Sequence, residues 1–223
     1  MSKRSILLPV LVFVLAAFSD MTAVSAEKRP LINCKPVEER TQPEGCWIVA
    51  SARLGELDPG DVYWTLDMYQ SLERAGNANK KGGTVVQALG KIWLFTVGPR
   101  PALSPDGKRV REIGPLPIKS SENYTAQFME GILEPGAVSR THVHSGPEAF
   151  FTESGESCLE TPAGRQVGRN GVDLVIPEGT PMELVASGTE TRRGIILVLH
   201  SSDRPATSVT TDWKSKGLCF GDR

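Results

Sequence analysis

The chain has 223 residues and carries 25 basic and 26 acidic side chains, so it is close to neutral. This balance argues against the strongly basic surface that nucleic acid or an anionic membrane would attract. The length suits one domain with a sizeable core, and no stretch has the biased composition of a long disordered linker.

The first 26 residues are predicted to be a cleaved export signal. Lys3 and Arg4 precede an apolar run over 6–18, and small residues at 24–26 suit a signal peptidase. The run is shorter than the roughly 20 apolar residues that a membrane span needs, so no membrane anchor is expected. We therefore expect a periplasmic or extracellular protein.

The chain contains four cysteines, an even number that in an exported protein favours disulfides over free thiols. Four cysteines allow three pairings. We favour Cys34 with Cys46, which closes a short loop, and Cys158 with Cys219, which ties the tail to the preceding domain. Metal binding by cysteines is the competing interpretation, but no C-x-x-C spacing is present.

Residues 27–123 are predicted to form an N-terminal extension that packs on the following domain. Its first part, 27–45, is polar and contains prolines, so it is expected to wrap the surface. A short apolar strand is predicted over 46–50, before a turn at 57–61.

A helix is predicted over 63–79. Thr65 can cap it, Gly76 can end it, and a stripe of apolar residues indicates a packed face. The stripe consists of Leu66, Tyr69 and Leu72. Such a stripe is typical of a core helix, not of a ligand site.

Short strands separated by glycine turns dominate the rest of the chain. They are predicted over 84–88, 91–97, 124–133, 157–161, 173–177, 182–186 and 194–200. Residues 98–108 contain three prolines and are predicted to be a loop. This pattern indicates an all-β fold, an antiparallel barrel or jelly roll over 124–202, followed by a C-terminal tail over 203–223.

The stretch 136–155 contains two of the three histidines. Alternation along a strand places His142 and His144 on one face, and the turn at 145–147 brings Glu148 back beside the two rings. Two imidazoles and one carboxylate suit a first-row divalent ion with open coordination positions.

The same stretch resembles the first motif of the cupin superfamily. Gly136, five residues, His142-Val143-His144, three residues, Glu148, six residues and Gly155 match it at every position. The resemblance implies a cupin-type antiparallel β-barrel in which His142, His144 and Glu148 hold a divalent metal ion, whether Fe, Mn, Zn or Cu.

The second cupin motif is matched in its first half only. Gly171, Pro177, Glu178 and Gly179 fit it, but Met182 stands where the family has a ligand histidine, and Ala186 stands where it has asparagine. The metal is therefore expected to have three protein ligands.

Three further residues are candidates for the pocket wall or an extra ligand. Met182 is expected to line the barrel, with ligation by its soft thioether as the alternative. His200 would supply a third imidazole from the last strand, or else face solvent at the strand end. Phe150 is a candidate for the barrel wall.

Arg192 and Arg193 are adjacent, so strand alternation sends one of them to the surface. An arginine that points into the barrel would indicate an acidic substrate.

The leading hypothesis is an exported cupin that binds a divalent metal and a small molecule in its barrel. If it is an enzyme, the resemblance implies a dioxygenase, isomerase or decarboxylase, with an oxidoreductase favoured. No catalytic residue is assigned and no further cofactor is expected. The alternatives are a non-catalytic ligand-binding module and a cell-envelope structural or interaction protein; a homodimer stays open, and no nucleic-acid partner is expected.

Overall fold

The structure is a computed structural model that describes residues 29–79, 82–103 and 106–220. The predicted export signal over 1–26 lies outside these ranges. Within them, no helix is both long and apolar enough to cross a bilayer. Most of the described residues form β-strands.

The strands of the described ranges are named in chain order. The first nine are β1 Leu31–Ile32, β2 Cys34–Pro36, β3 Gly45–Glu56, β4 Tyr63–Tyr69, β5 Thr84–Ala88, β6 Lys91–Gly98, β7 Lys108–Ile113, β8 Asn123–Leu133 and β9 Val138–Ser139. The remaining eight are β10 His142–His144, β11 Glu148–Ser154, β12 Glu156–Thr161, β13 Gly164–Arg169, β14 Leu174–Ile176, β15 Glu183–Ser187, β16 Arg192–Ser201 and β17 Thr207–Val209. A short α-helix, α1, spans Leu72–Ala78, and a 3-10 turn spans Val37–Glu39.

The larger sheets pack as three layers. The central sheet has six strands in the order β14-β11-β16-β8-β3-β2. On one side lies a five-stranded sheet, β1-β9-β15-β12-β13, and on the other a four-stranded sheet, β5-β6-β4-β7. The central and five-stranded sheets enclose the barrel, while β10 and β17 form a separate ribbon.

Among the described residues, the predicted all-β fold of antiparallel sheets with one α-helix is confirmed. Neighbouring strands of the central sheet run antiparallel from β14 to β3. Two strands from 27–123 belong to this sheet, because β3 pairs with β8 along most of its length and β2 adds to β3 in parallel. The N-terminal region thus supplies part of the wall that supports the site.

The helix predicted over 63–79 is wrong in its first half. Tyr63–Tyr69 is a strand that pairs with β6 on one side and β7 on the other, and its residues are mostly buried. The helix begins after Ser71, whose hydroxyl accepts from the Arg74 amide at 3.2 Å, so Thr65 is not its cap. Leu72 is 49% exposed and is therefore not a core residue.

Both predicted disulfides are confirmed. Cys34 is joined to Cys46 with Cα atoms 4.4 Å apart, and Cys158 to Cys219 with Cα atoms 5.6 Å apart. The first links the adjacent strands β2 and β3, and the second holds the C-terminal tail against the outer face of β12. All four cysteines are paired, which leaves none for a metal.

Candidate metal centre

A tight turn between β10 and β11 brings the three predicted metal ligands together. His142 and His144 lie on β10, and Glu148 is the first residue of β11. Gly146 in the turn lies against the backbone of β16, where a Cβ atom would be 1.8 Å from the Leu199 carbonyl oxygen. Only glycine allows this approach, so the turn is fixed against the central sheet.

The three side chains converge as the spacing predicts. One ligand atom from each of His142, His144 and Glu148 lies within 4.8 Å of the others. The two imidazole rings are 4.8 Å apart between centroids and nearly perpendicular, at 82°. Because a first-row ion binds nitrogen and oxygen at about 2.0–2.2 Å, this spacing suits ligands that share one ion.

Backbone carbonyls fix the orientation of both imidazoles. The Nδ1–H of His142 donates to the Arg140 carbonyl at 2.7 Å, and the Nδ1–H of His144 donates to the Ala206 carbonyl at 2.9 Å. Each Nε2 then carries the lone pair, which is the tautomer that a metal needs.

Two buried polar atoms face each other without a hydrogen-bond partner in the described structure. They are Nε2 of His144 and Oε2 of Glu148, which are 3.3 Å apart. Both residues are about 95% buried, so water does not satisfy these atoms. A shared cation or proton would relieve this repulsion, and the residues therefore fit a divalent ion.

The two histidines differ in how readily they accept a proton. Burial lowers the pKa of His142, and the nearby Glu148 carboxylate opposes this change only in part. Burial also acts to lower the pKa of His144, but the Glu148 carboxylate and the Ala206 carbonyl raise it more, so this pKa lies above its ordinary value. A proton would therefore compete with a bound metal ion mainly at His144.

A cavity of about 430 Å³ opens beside the three ligands. Besides the three ligands, the polar residues that line the cavity include Gln127, Ser139 and the exposed Arg140. The remaining wall is largely apolar and is formed by the central sheet, the five-stranded sheet and the segment around β17. It includes Leu31, Ile32, Ile48, Met129, Leu184, Ile196, Ala206 and Val209. A small molecule with an apolar body fits such a space.

Met182 lies directly opposite His142. The two residues exchange backbone hydrogen bonds of 2.9 and 3.1 Å, so their side chains project to the same face. Met182 is 1% exposed and packs in the barrel core with Phe150. Neither residue is among those that line the cavity.

His200 lies apart from the other two histidines. It is on β16, its Nδ1 bonds the Ser201 carbonyl at 2.7 Å, and it belongs neither to the ligand group nor to the cavity wall. Its imidazole is therefore not placed to serve as a third ligand in this structure.

A segment from the predicted C-terminal tail completes the site. Strand β17 pairs with β10, so Thr207 lies opposite His144 and Ala206 accepts its Nδ1–H. Arg204 anchors this segment through Glu178 at 2.8 Å and through Glu122. This role has no signal in the sequence, because no local pattern relates residues about 60 positions apart.

No family model and no curated protein matches the chain. Solved structures of cupin-type proteins are similar to parts of it. A cupin-like protein from Thermotoga maritima MSB8 is 16% identical over 51% of this chain and 98% of its own, with a TM-score of 0.38. Oxalate decarboxylase from Bacillus subtilis, in a structure at pH 4.6, is 25% identical over 42% of this chain and 25% of its own, with a TM-score of 0.33. Oxalate oxidase in complex with glycolate is 19% identical over 39% of this chain and 46% of its own, with a TM-score of 0.32.

Proposed function

We propose that this cupin-type protein holds a divalent first-row metal on His142, His144 and Glu148 and binds a small molecule in the adjoining cavity. The observation that carries the proposal is the pair of oriented imidazoles. Both direct Nε2 into the site, and one of them faces a buried carboxylate oxygen that has no hydrogen-bond partner. This donor set suits Fe, Mn, Zn or Cu.

The reaction class that we propose is metal-assisted conversion of the bound small molecule. A bound ion would act as a Lewis acid or redox centre at its open positions, which serves dioxygenation, isomerisation or decarboxylation. We favour an oxidoreductase among these. The protein's own contribution is orientation: the carbonyls of Arg140 and Ala206 hold the imidazoles, and the apolar wall excludes water from the reacting face.

Three protein ligands leave more than one position open. Met182 occupies the place where a fourth imidazole would stand, and its side chain belongs to the apolar core. A three-ligand site binds its metal more weakly than a four-ligand site, but it gives a substrate direct access to the ion.

Export to an oxidising compartment is part of the same proposal. Both cysteine pairs form disulfides, and such bonds persist in the periplasm or outside the cell. A metal site there would load from the metals of that compartment.

The test is elemental analysis of untagged protein purified without a chelator. We expect close to one first-row metal ion per wild-type molecule. His144→Ala removes one ligand and should abolish stoichiometric occupancy. His200→Ala is the matched control, because that imidazole lies outside the ligand group, and it should retain the metal.

Two results would count against the proposal. A wild-type protein that stays metal-free after incubation with each of the four metals would favour a metal-free ligand holder. Equal metal content in His144→Ala and wild type would place the metal elsewhere. Turnover assays on the loaded protein then distinguish an enzyme from a binding module.

A further inference from the structure

Arg192 is a fully buried cation inside the barrel. Along β16, which pairs with β8 without a register shift, Arg192 shares a face with Ile196, a residue of the cavity wall. Its neighbour Arg193 points the other way and contacts Glu153 at 3.6 Å. The inward arginine is therefore Arg192.

Two glycines leave room for this guanidinium. A Cβ atom at Gly131 would lie 2.5 Å from Nη1 of Arg192, and one at Gly194 would lie 2.9 Å from Nη2. Nε donates to the Ser157 hydroxyl on the facing sheet at 2.9 Å. Nη2 is buried and has no hydrogen-bond partner in the described structure. A charge held in this way is only partly satisfied.

One row of apolar side chains separates this charge from the metal ligands. Strand register places three rows of residues on the inner face of the central sheet. The row of the metal ligand contains Gln127, Val198 and Glu148, and the next row contains Met129, Ile196 and Phe150. The third row contains Gly131, Gly194 and Thr152. The guanidinium lies against the glycines of the third row. Adjacent rows are about 6.6 Å apart, so about 13 Å and one apolar layer separate the guanidinium from the row that contains Glu148.

Other buried acids do not neutralise this cation. Glu130 points to the opposite face of the central sheet and pairs with Arg40 at 3.0 Å, and Glu160 accepts backbone amides of the C-terminal tail. Burial lowers the pKa of Arg192 to about 10, with Glu148 opposing that change, so the group stays charged at neutral pH. Arg192 and Glu148 are thus opposite unit charges within the barrel.

A divalent ion on His142, His144 and Glu148 would leave the barrel interior with two uncompensated positive charges. We infer that the molecule bound at this metal is an anion with an apolar body, a small aliphatic or aryl carboxylate, and that Arg192 selects for its charge. This inference rests on the proposed metal site. The apolar wall suits the body, and the exposed Arg140 adds a further cation to the cavity lining.

The first experiment needs no variant. Mn(II)-loaded wild-type protein is titrated with hexanoate and with hexanamide, which have the same chain length but differ in charge, and binding is followed by calorimetry and by the Mn(II) EPR spectrum. We expect hexanoate to bind about tenfold more tightly, the ratio that one unit charge about 13 Å away gives at an effective dielectric constant of about 20. Equal affinities, or no binding of either, would overturn the inference. Failure of the protein to take up any of the four metals would instead refute the proposed metal site.

A pair of adjacent substitutions tests the role of Arg192. Arg192→Met removes the buried charge at similar length, and Arg193→Met removes an outward charge from the same strand. We expect Arg192→Met to weaken hexanoate binding about tenfold and to tighten Mn(II) binding, since one repulsive charge is lost. Arg193→Met should change neither.

Arg192→Lys keeps the charge, and it addresses the case in which Arg192→Met does not fold. It should retain the preference for hexanoate over hexanamide. A purely structural role predicts that both Arg192 variants lose stability while the hexanoate to hexanamide ratio stays the same. That result would contradict selection by charge.

Discussion

The two faces of the central sheet use the same strands for different purposes. Towards the four-stranded sheet, alternate residues form an aromatic core in which Trp64, Phe95 and Phe128 pack with ring centroids 4.9 to 6.2 Å apart. Towards the barrel, the intervening residues include the buried polar groups Glu148 and Arg192. The apolar face can supply the stability that incompletely paired charges on the other face reduce.

The aromatic face should show the largest stability effect. Phe128→Ala removes a ring that is 1% exposed and packs against Trp64 and Phe95, so we expect a loss of about 3–5 kcal/mol of unfolding free energy. Urea denaturation measures it. Metal content per folded molecule should not change; a loss of metal at unchanged stability would mean that the two faces are not separate in function.

A new metal ligand on the barrel side of the central sheet should raise metal affinity. Met182→His places an imidazole opposite His142 on the same face, and we expect Mn(II) affinity to rise about tenfold, equivalent to about 1.4 kcal/mol. Calorimetric titration of the metal-free protein measures this change. Met182→Leu is the control and should bind like wild type. If Met182→Leu instead abolishes a preference for Cu(I), the thioether is itself a ligand.

The pH dependence should have opposite signs with and without metal. The pKa of His144 is raised in the folded protein, so this group contributes stability to the metal-free protein that is complete below its unfolded pKa and is lost as pH rises through the folded pKa. Metal needs the neutral ring, so metal affinity should fall as pH drops through the same folded pKa. Thermal melts and Mn(II) titrations across this range test both slopes, and His144→Gln should flatten the slope of the metal-free thermal melts. Parallel slopes would contradict competition at this imidazole.

The smallest effect on stability is expected on α1, which lies outside both faces of the central sheet. Leu72 is 49% exposed on α1, so Leu72→Ala should change unfolding free energy by no more than about 0.5 kcal/mol. A matched buried change on the same helix is Ala75→Ser, at a fully buried position, which should cost more. If Leu72→Ala costs as much as Ala75→Ser in urea denaturation, the short helix packs more tightly than its exposure indicates.

The convergence of His142, His144 and Glu148 could be predicted because its geometry is local. His142 and His144 follow from strand alternation, and Glu148 from a turn of three residues. The disulfide pairs could also be predicted, because one closes a short loop and the other ties the tail to the preceding domain. Both pairs are confirmed. Residues brought together over long distances, such as Ala206 beside His144, leave no local signal.

The errors arise where tertiary contacts override a local pattern. Tyr63–Tyr69 is mostly buried, so it lacks the alternation of a half-buried strand, and its apolar spacing also fits a helix. Strand β7 is absent from the predicted strands, because the prolines before it obscure its start. Which of Arg192 and Arg193 points inward depends on register, which the sequence alone does not determine.

The most direct test of the account is to count the imidazoles on the metal. Pulsed EPR of protein loaded with one equivalent of Cu(II) reports the remote nitrogen of each bound ring. We predict two equatorial imidazoles in wild type and in His200→Ala, and one in the fraction of Cu(II) that His142→Ala or His144→Ala still binds at this loading. A wild-type spectrum without imidazole nitrogens, or one that both His142→Ala and His144→Ala leave unchanged, would contradict the assignment of His142, His144 and Glu148 as the metal site.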